Sequence, residues 1–114
     1  MFDFQQLEVY KKSKQFYVSC QKLMQEQNIN NYAKDQLSRA SFSIALNIAE
    51  GSGKFSKYDR RNYFTTARAS VFECVAILDI LSDEGKISPS KFNEMAAQAD
   101  ELSRILYTMI KNLS

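Results

Sequence analysis

The chain has 114 residues, 45% of them apolar and 25% charged, with one proline, three glycines and no histidine. That length supports one domain, 1–114, around a single modest core, and the composition is not that of a disordered or low-complexity chain. Without histidine the commonest general base and the commonest metal ligand are gone, and two isolated cysteines, Cys20 and Cys74, cannot make a zinc site alone. No metal, cofactor or catalytic residue is therefore expected.

The formal net charge of +2 is unevenly spread. Residues 1–72 carry 11 basic and 6 acidic groups, a balance of +5, and residues 73–114 carry 4 and 7, a balance of −3. No apolar run approaches the ~18 residues of a membrane span. The opening "MFDFQQLEVYKK" has no basic segment followed by an apolar one, so no signal peptide is expected. A cytoplasmic protein with free thiols follows.

Scarce glycine and proline favour long helices. The first is predicted over about 4–27, with Asp3 and Gln6 as a capping box and Phe2 stapled onto Leu7. Tyr10, Tyr17, Cys20 and Met24 share one stripe of it, beside Val9, Phe16 and Leu23. "QNINNY" breaks the pattern, and Asn30 or Asn31 can cap a second helix over 31–50. Its stripe is Leu37, Ser41, Ile44 and Ile48, and Gly51 stands where a left-handed residue would end it. Ser56 and Asp59 form the next capping box, opening a third helix over 57–82 through Phe64, Val71, Val75 and Leu78. "DEGKISP" is a turn. Ser88 caps a fourth helix over 89–113 with Pro89 in its first position. Phe92, Met95, Ala99, Leu102, Leu106, Met109 and Leu113 then form a packing seam of alternating three- and four-residue steps. Four such helices with short connections make an all-α, antiparallel up-down-up-down bundle. Cys20 and Cys74 read as buried apolar residues at similar heights.

Two helices have an apolar face too many. At about 100° per residue, Phe42, Leu46 and Ala49 fall nearly opposite Leu37, Ile44 and Ile48. The third helix likewise adds Phe72, Ala76 and Ile80 to its core stripe. No helix of a four-helix bundle is central, so these six residues are candidates for a self-association interface.

The segment "NIAEGSGKFSKYDRRNYF" has the look of a phosphate cradle. A Walker loop, however, needs glycine where Ile48 stands and Ser or Thr where Phe55 stands, and its loop opens a helix rather than closing one. A dinucleotide fingerprint needs a third glycine where Ser56 stands. Gly51 and Gly53 therefore build a helix-to-helix turn, decorated by Lys54, Lys57, Arg60 and Arg61. These four and Arg68 are candidates for nucleic-acid contact, with Lys11, Lys12 and Lys14 as a second patch; such contacts would hold phosphates without reading sequence. Arg39, Ser43, Asn47 and Glu50 line one polar stripe of the second helix. Thr66, Ser70 and Glu73 line one on the third. Facing each other, the stripes would fix helix register. Glu50 and Glu73 as ligand or catalytic groups are the alternative, but paired carboxylates without a nucleophile or metal ligands specify no reaction.

"QLSRASFSIALNIAEGSGKFSKYDRRNYFTTARASVFE" resembles the signature of a bacterial four-helix family encoded by intervening sequences within 23S ribosomal RNA genes. The carriers are Arg39, Ser43, Ile44, Asn47, Ile48, Ala49, Glu50, Gly51, Phe64, Ala67, Ser70 and Glu73, and "FQQLEVYKKSKQF" is similar to the family's start. At Gly53-Lys54-Phe55 the family usually has a more basic turn. The resemblance implies a bundle that closes into a ring, typically a homopentamer, and no enzymatic activity. It also implies kinship with the accessory variability determinant of diversity-generating retroelements, a basic pentamer that binds nucleic acid and a reverse transcriptase. The expected function is a non-enzymatic oligomeric scaffold for RNA, DNA or a nucleic-acid enzyme. The alternative is a protein–protein adaptor with no nucleic-acid role.

Overall fold

Helix starts are set by side chains at named positions. Ser56 Oγ accepts the N–H of Asp59 at 3.0 Å, and Ser88 Oγ accepts that of Lys91 at 3.0 Å with Pro89 following in the first turn. Each satisfies one of the donors that a helix N-terminus leaves unpaired. In the computed structural model, which describes residues 1–113, the elements are a 3-10 turn Asp3–Gln6 and four α-helices. They are α1 Glu8–Glu26, α2 Asn31–Ser52, α3 Lys57–Asp83 and α4 Pro89–Asn112.

Cross-helix pairs fix the direction of packing. Gln21 donates to Ser38 while Tyr17 packs on Phe42, so α1 and α2 run oppositely. Ser43 meets Ser70 while Gly51 lies against Phe64, reversing α2 and α3. Arg68 reaches Ser103 and Arg61 reaches Leu113, reversing α3 and α4. Each helix packs on its sequence neighbours and α1 closes on α4. The result is an up-down-up-down bundle of 44 × 26 × 21 Å, whose long axis suits a 27-residue α3 at about 1.5 Å per residue.

Two local expectations are corrected. The first helix starts at Glu8, not Asp3, because the chain first makes a 3-10 turn. The box there joins Phe2 and Gln5: the N–H of Phe2 donates to Gln5 Oε1 at 2.8 Å. Gly51 does not end α2 in a left-handed conformation, since the helix continues to Ser52 and Gly53 caps it at φ −87°. Gly51 is instead a point of close approach: a Cβ there would sit 2.8 Å from both Phe64 Cε1 and Tyr63 Cβ. The left-handed glycine is Gly85, at φ +72° after α3. Its N–H donates to the Ser82 carbonyl and that of Lys86 to the Leu81 carbonyl, the paired closure of a Schellman motif.

The core runs the length of the bundle, from Val9, Phe64 and Leu106 to Met24, Ile29, Leu81 and Ile87. Leu37, Ile44 and Ile48 are fully buried, and Met95, Ala99, Leu102 and Leu106 form the α4 seam. Cys20 and Cys74 are buried free thiols. Burial pushes the Cys20 thiol up to about 12, offset in part by its hydrogen bond to Ser41. Burial also raises Cys74, with the neighbouring Cys20 and Glu73 adding to the rise. Thiolate chemistry is thereby suppressed at both.

Candidate nucleic-acid interface and association faces

The α2–α3 turn and the first turns of α3 project four cations from one end of the bundle. Lys54 and Lys57 sit either side of Phe55. Arg60 Nε donates to the Lys54 carbonyl at 2.9 Å, bracing the turn. Arg61 Nη1 donates to the Leu113 carbonyl at 3.3 Å, tying the start of α3 to the end of α4. Aromatic rings lie beneath them: Lys54 Nζ is 5.1 Å from the Tyr63 ring centre, and the Arg61 guanidinium 5.8 Å from that of Tyr58. Among the described residues, the ion pairs involve Lys11, Lys12, Lys91 and Arg104, and none engages these four cations. Beside the cluster lies an open, mainly apolar cleft of about 720 Å³ bounded by Phe2, Phe4, Arg60, Phe64, Met109 and Leu113.

The other basic candidates are placed differently. Arg68 lies about three turns up α3, stacked on Phe72 at 4.7 Å and Tyr107 at 5.6 Å, with its Nε donating to the Ser103 carbonyl. It belongs with the aromatic residues of the α3–α4 side rather than with the basic end. Of the second patch, Lys11 pairs with Glu8 at 3.7 Å and Lys12 with Glu101 at 3.2 Å, while Lys14 stacks on Tyr10. These three do not form one free cluster, because the helical period points Lys12 toward α4 and Lys11 and Lys14 to solvent.

The polar stripes meet in part. Ser43 Oγ and Ser70 Oγ are 3.0 Å apart, and Asn47 Nδ2 donates to the Ser43 carbonyl and hydroxyl at 2.8 and 2.9 Å. Arg39, Glu50 and Glu73 are exposed and stand outside this network, and Thr66 bonds back to the Asn62 carbonyl of its own helix. No group of three or more Cys, Asp or Glu side chains among the described residues is arranged to hold a metal ion.

The extra apolar residues point outward. Phe42 and Leu46 are 51% and 45% exposed, Phe72 and Ile80 54% and 58%, Ala76 is exposed and Ala49 half-buried. They form two patches. Phe42 leans onto Tyr17 of α1, at 5.5 Å between ring centres. Phe72 leans toward α4 through Arg68 and Tyr107, at the rim of a groove lined by Val75, Ala76, Ala96 and Ala99. The α1–α2 and α3–α4 sides of a square bundle are opposite sides, so the patches face away from each other. Tyr107, exposed on α4 and sharing the Arg68 guanidinium with Phe72, extends the second of these surfaces and is not apparent in the sequence. It directly follows Leu106 of the core seam, and only the packing shows that it joins the Phe72 patch.

The sequence profile described as "23S rRNA-intervening sequence protein" matches residues 5–108. The chain belongs to the 23S rRNA-intervening sequence protein family. None of the curated proteins matches it. Among solved structures it is similar to a protein of unknown function from the S23 ribosomal protein family of Bacteroides thetaiotaomicron. The two share 24% identity and superpose with a TM-score of 0.81 over 90% of this chain and 98% of that one. This likeness establishes that the intervening-sequence bundle described above is a shared fold. No helix among the described residues is long and apolar enough to cross a membrane.

Proposed function

We propose that this family member is a non-enzymatic, cytoplasmic, ring-forming scaffold whose basic ends hold RNA or DNA. The observation that carries the reading is the placement of two outward apolar patches on opposite sides of the bundle, with an unpaired cation cluster at one end. Opposite, unlike patches favour head-to-tail contacts, which close into rings when the rotation fits. The groove floor of Ala76, Ala96 and Ala99 leaves room for the Phe42 and Leu46 side chains of a neighbouring copy. Asp79 and Asp100 at that groove would oppose Arg39, which stands three residues before Phe42 on the exposed face of α2. Such a ring, a pentamer by family resemblance, presents every Lys54–Arg61 cluster on the same rim. Weak phosphate contacts then act together, since linked sites raise the effective concentration of one another. A nucleic-acid enzyme such as a reverse transcriptase is the protein partner this rim would serve.

The test is binding of a short RNA and a short DNA at low and at physiological salt. Affinity should fall steeply with salt, as counterion release requires. The Lys54→Glu/Lys57→Glu variant should lose binding with little change in melting temperature, because the only side-chain contact it gives up among the described residues is that of Lys54 with the Tyr63 ring. Salt-independent binding, or binding unaffected by that variant, contradicts the phosphate-contact reading. No binding to any nucleic acid by an intact ring would favour a protein adaptor.

A further inference from the structure

Cations alone suffice to hold a duplex by its phosphates, yet the basic end carries rings as well as charge. Phe55 stands at the tip of the α2–α3 turn with its side chain wholly in solvent, between Lys54 and Lys57. Tyr58, in the first turn of α3, is 64% exposed. Burial does not explain Phe55: it packs on no ring among the described residues, whereas Tyr58 and Tyr63 each lie under a cation. Gly53 and Ser56 fix its place, Gly53 by capping α2 and Ser56 by starting α3, so the ring is displayed on a short braced turn.

We infer that the α2–α3 turn is a stacking platform for single-stranded nucleic acid, with Phe55 and Tyr58 taking the faces of unpaired bases and Lys54, Lys57 and Arg61 the flanking phosphates. This rests on the nucleic-acid reading above and narrows it. Single-strand sites combine a basic track with exposed aromatic rings, because every base offers a π-face whatever its sequence. A duplex hides those faces in its own stack and gives Phe55 nothing to cover it. Arg61, already lying along the Tyr58 ring, can hold a phosphate while the opposite face of that ring receives a base.

The experiment compares a uridine dodecamer, a thymidine dodecamer and a duplex of the same length at fixed salt. The single strands should bind more tightly than the duplex. Phe55→Ala should weaken single-strand binding about fivefold or more, the order lost on removing one stacked ring, while duplex binding and melting temperature stay unchanged. Phe55→Trp should keep or raise single-strand affinity. Equal affinity for strand and duplex, with Phe55→Ala silent and Lys54→Glu/Lys57→Glu disabling both, would overturn the platform and leave the nucleic-acid scaffold standing. No binding of any oligonucleotide overturns both. Phe55-dependent binding to vesicles of mixed anionic and neutral phospholipid, with no oligonucleotide binding, would assign the exposed ring to a membrane surface instead.

Discussion

Gly51 and Gly85 show how one residue type does two unrelated jobs. At Gly51 the α2 backbone passes so close to Tyr63 and Phe64 that a methyl group has no room. Helix propensity alone would make Gly51→Ala stabilising by about 1 kcal/mol. Overpacking a tight site costs about 1–3 kcal/mol, and at a 2.8 Å approach it wins. Thermal melts should therefore show Gly51→Ala lowering Tm. Gly85→Ala should also lower Tm, at a cost of about 1–2 kcal/mol in stability from its positive φ, although a Cβ there meets nothing. The two thiols make a separate prediction. Their ionisation is raised by burial, from 9.0 to about 12 for Cys20. The folded state then holds protons that the unfolded chain releases. Stability conferred by the neutral thiols is complete below pH 9 and lost as pH rises toward 12. The Cys20→Ala/Cys74→Ala variant should show a flatter decline of Tm over that window. A disulfide-exchange reagent should leave both thiols of the native protein unmodified at neutral pH.

At the scale of elements, periodicity made the helices legible. The α4 seam needed only the spacing of Met95, Ala99, Leu102 and Leu106, because one face of a helix must be buried against its neighbours. Ser56 and Ser88 marked two helix starts because a hydroxyl at that position has a specific donor to satisfy. Asp3 misled because a 3-10 turn uses the same residue types as an α-helical cap, and only the 3-10 turn's packing against α1 and α2 decides between them. The site was legible as composition but not as arrangement. The cation run at the α2–α3 turn is plain in the sequence. That Arg68 lies along Phe72 and Tyr107, or that Lys12 is engaged by Glu101, depends on which helix stands alongside. The polar stripes were half readable for the same reason: Ser43, Asn47 and Ser70 turn toward the α2–α3 seam, while Arg39, Glu50 and Glu73 lie beyond it. Ser43→Val is expected to cost about 1–3 kcal/mol, since it leaves the Ser70 hydroxyl and the Asn47 amide short of a partner. Ser43→Val/Ser70→Ala should recover part of that loss, and a denaturant double-mutant cycle measures the coupling.

For the whole molecule, the two apolar patches are the feature that a lone bundle leaves unexplained. Covering the exposed halves of Phe42 and Leu46 would contribute roughly 1 kcal/mol each, repeated at every contact of a ring. Phe42→Glu should give a folded monomer, since the side chain is half exposed and outside the buried core, leaning on the Tyr17 ring. Circular dichroism would show the same helical content and light scattering a smaller mass. Loss of helix on that substitution would instead make Phe42 part of the folding core. The same variant should bind RNA more weakly than the intact protein even though every cation is retained, because the rim would no longer collect several clusters on one strand.

Native mass spectrometry of the intact chain at micromolar concentration addresses the scaffold most directly. The wild-type chain should give one closed assembly, five copies by family resemblance, that dissociates to monomers when Phe42 is replaced by Glu. A wild-type chain that stays monomeric at that concentration, with Phe42 and Phe72 left in water, would contradict it.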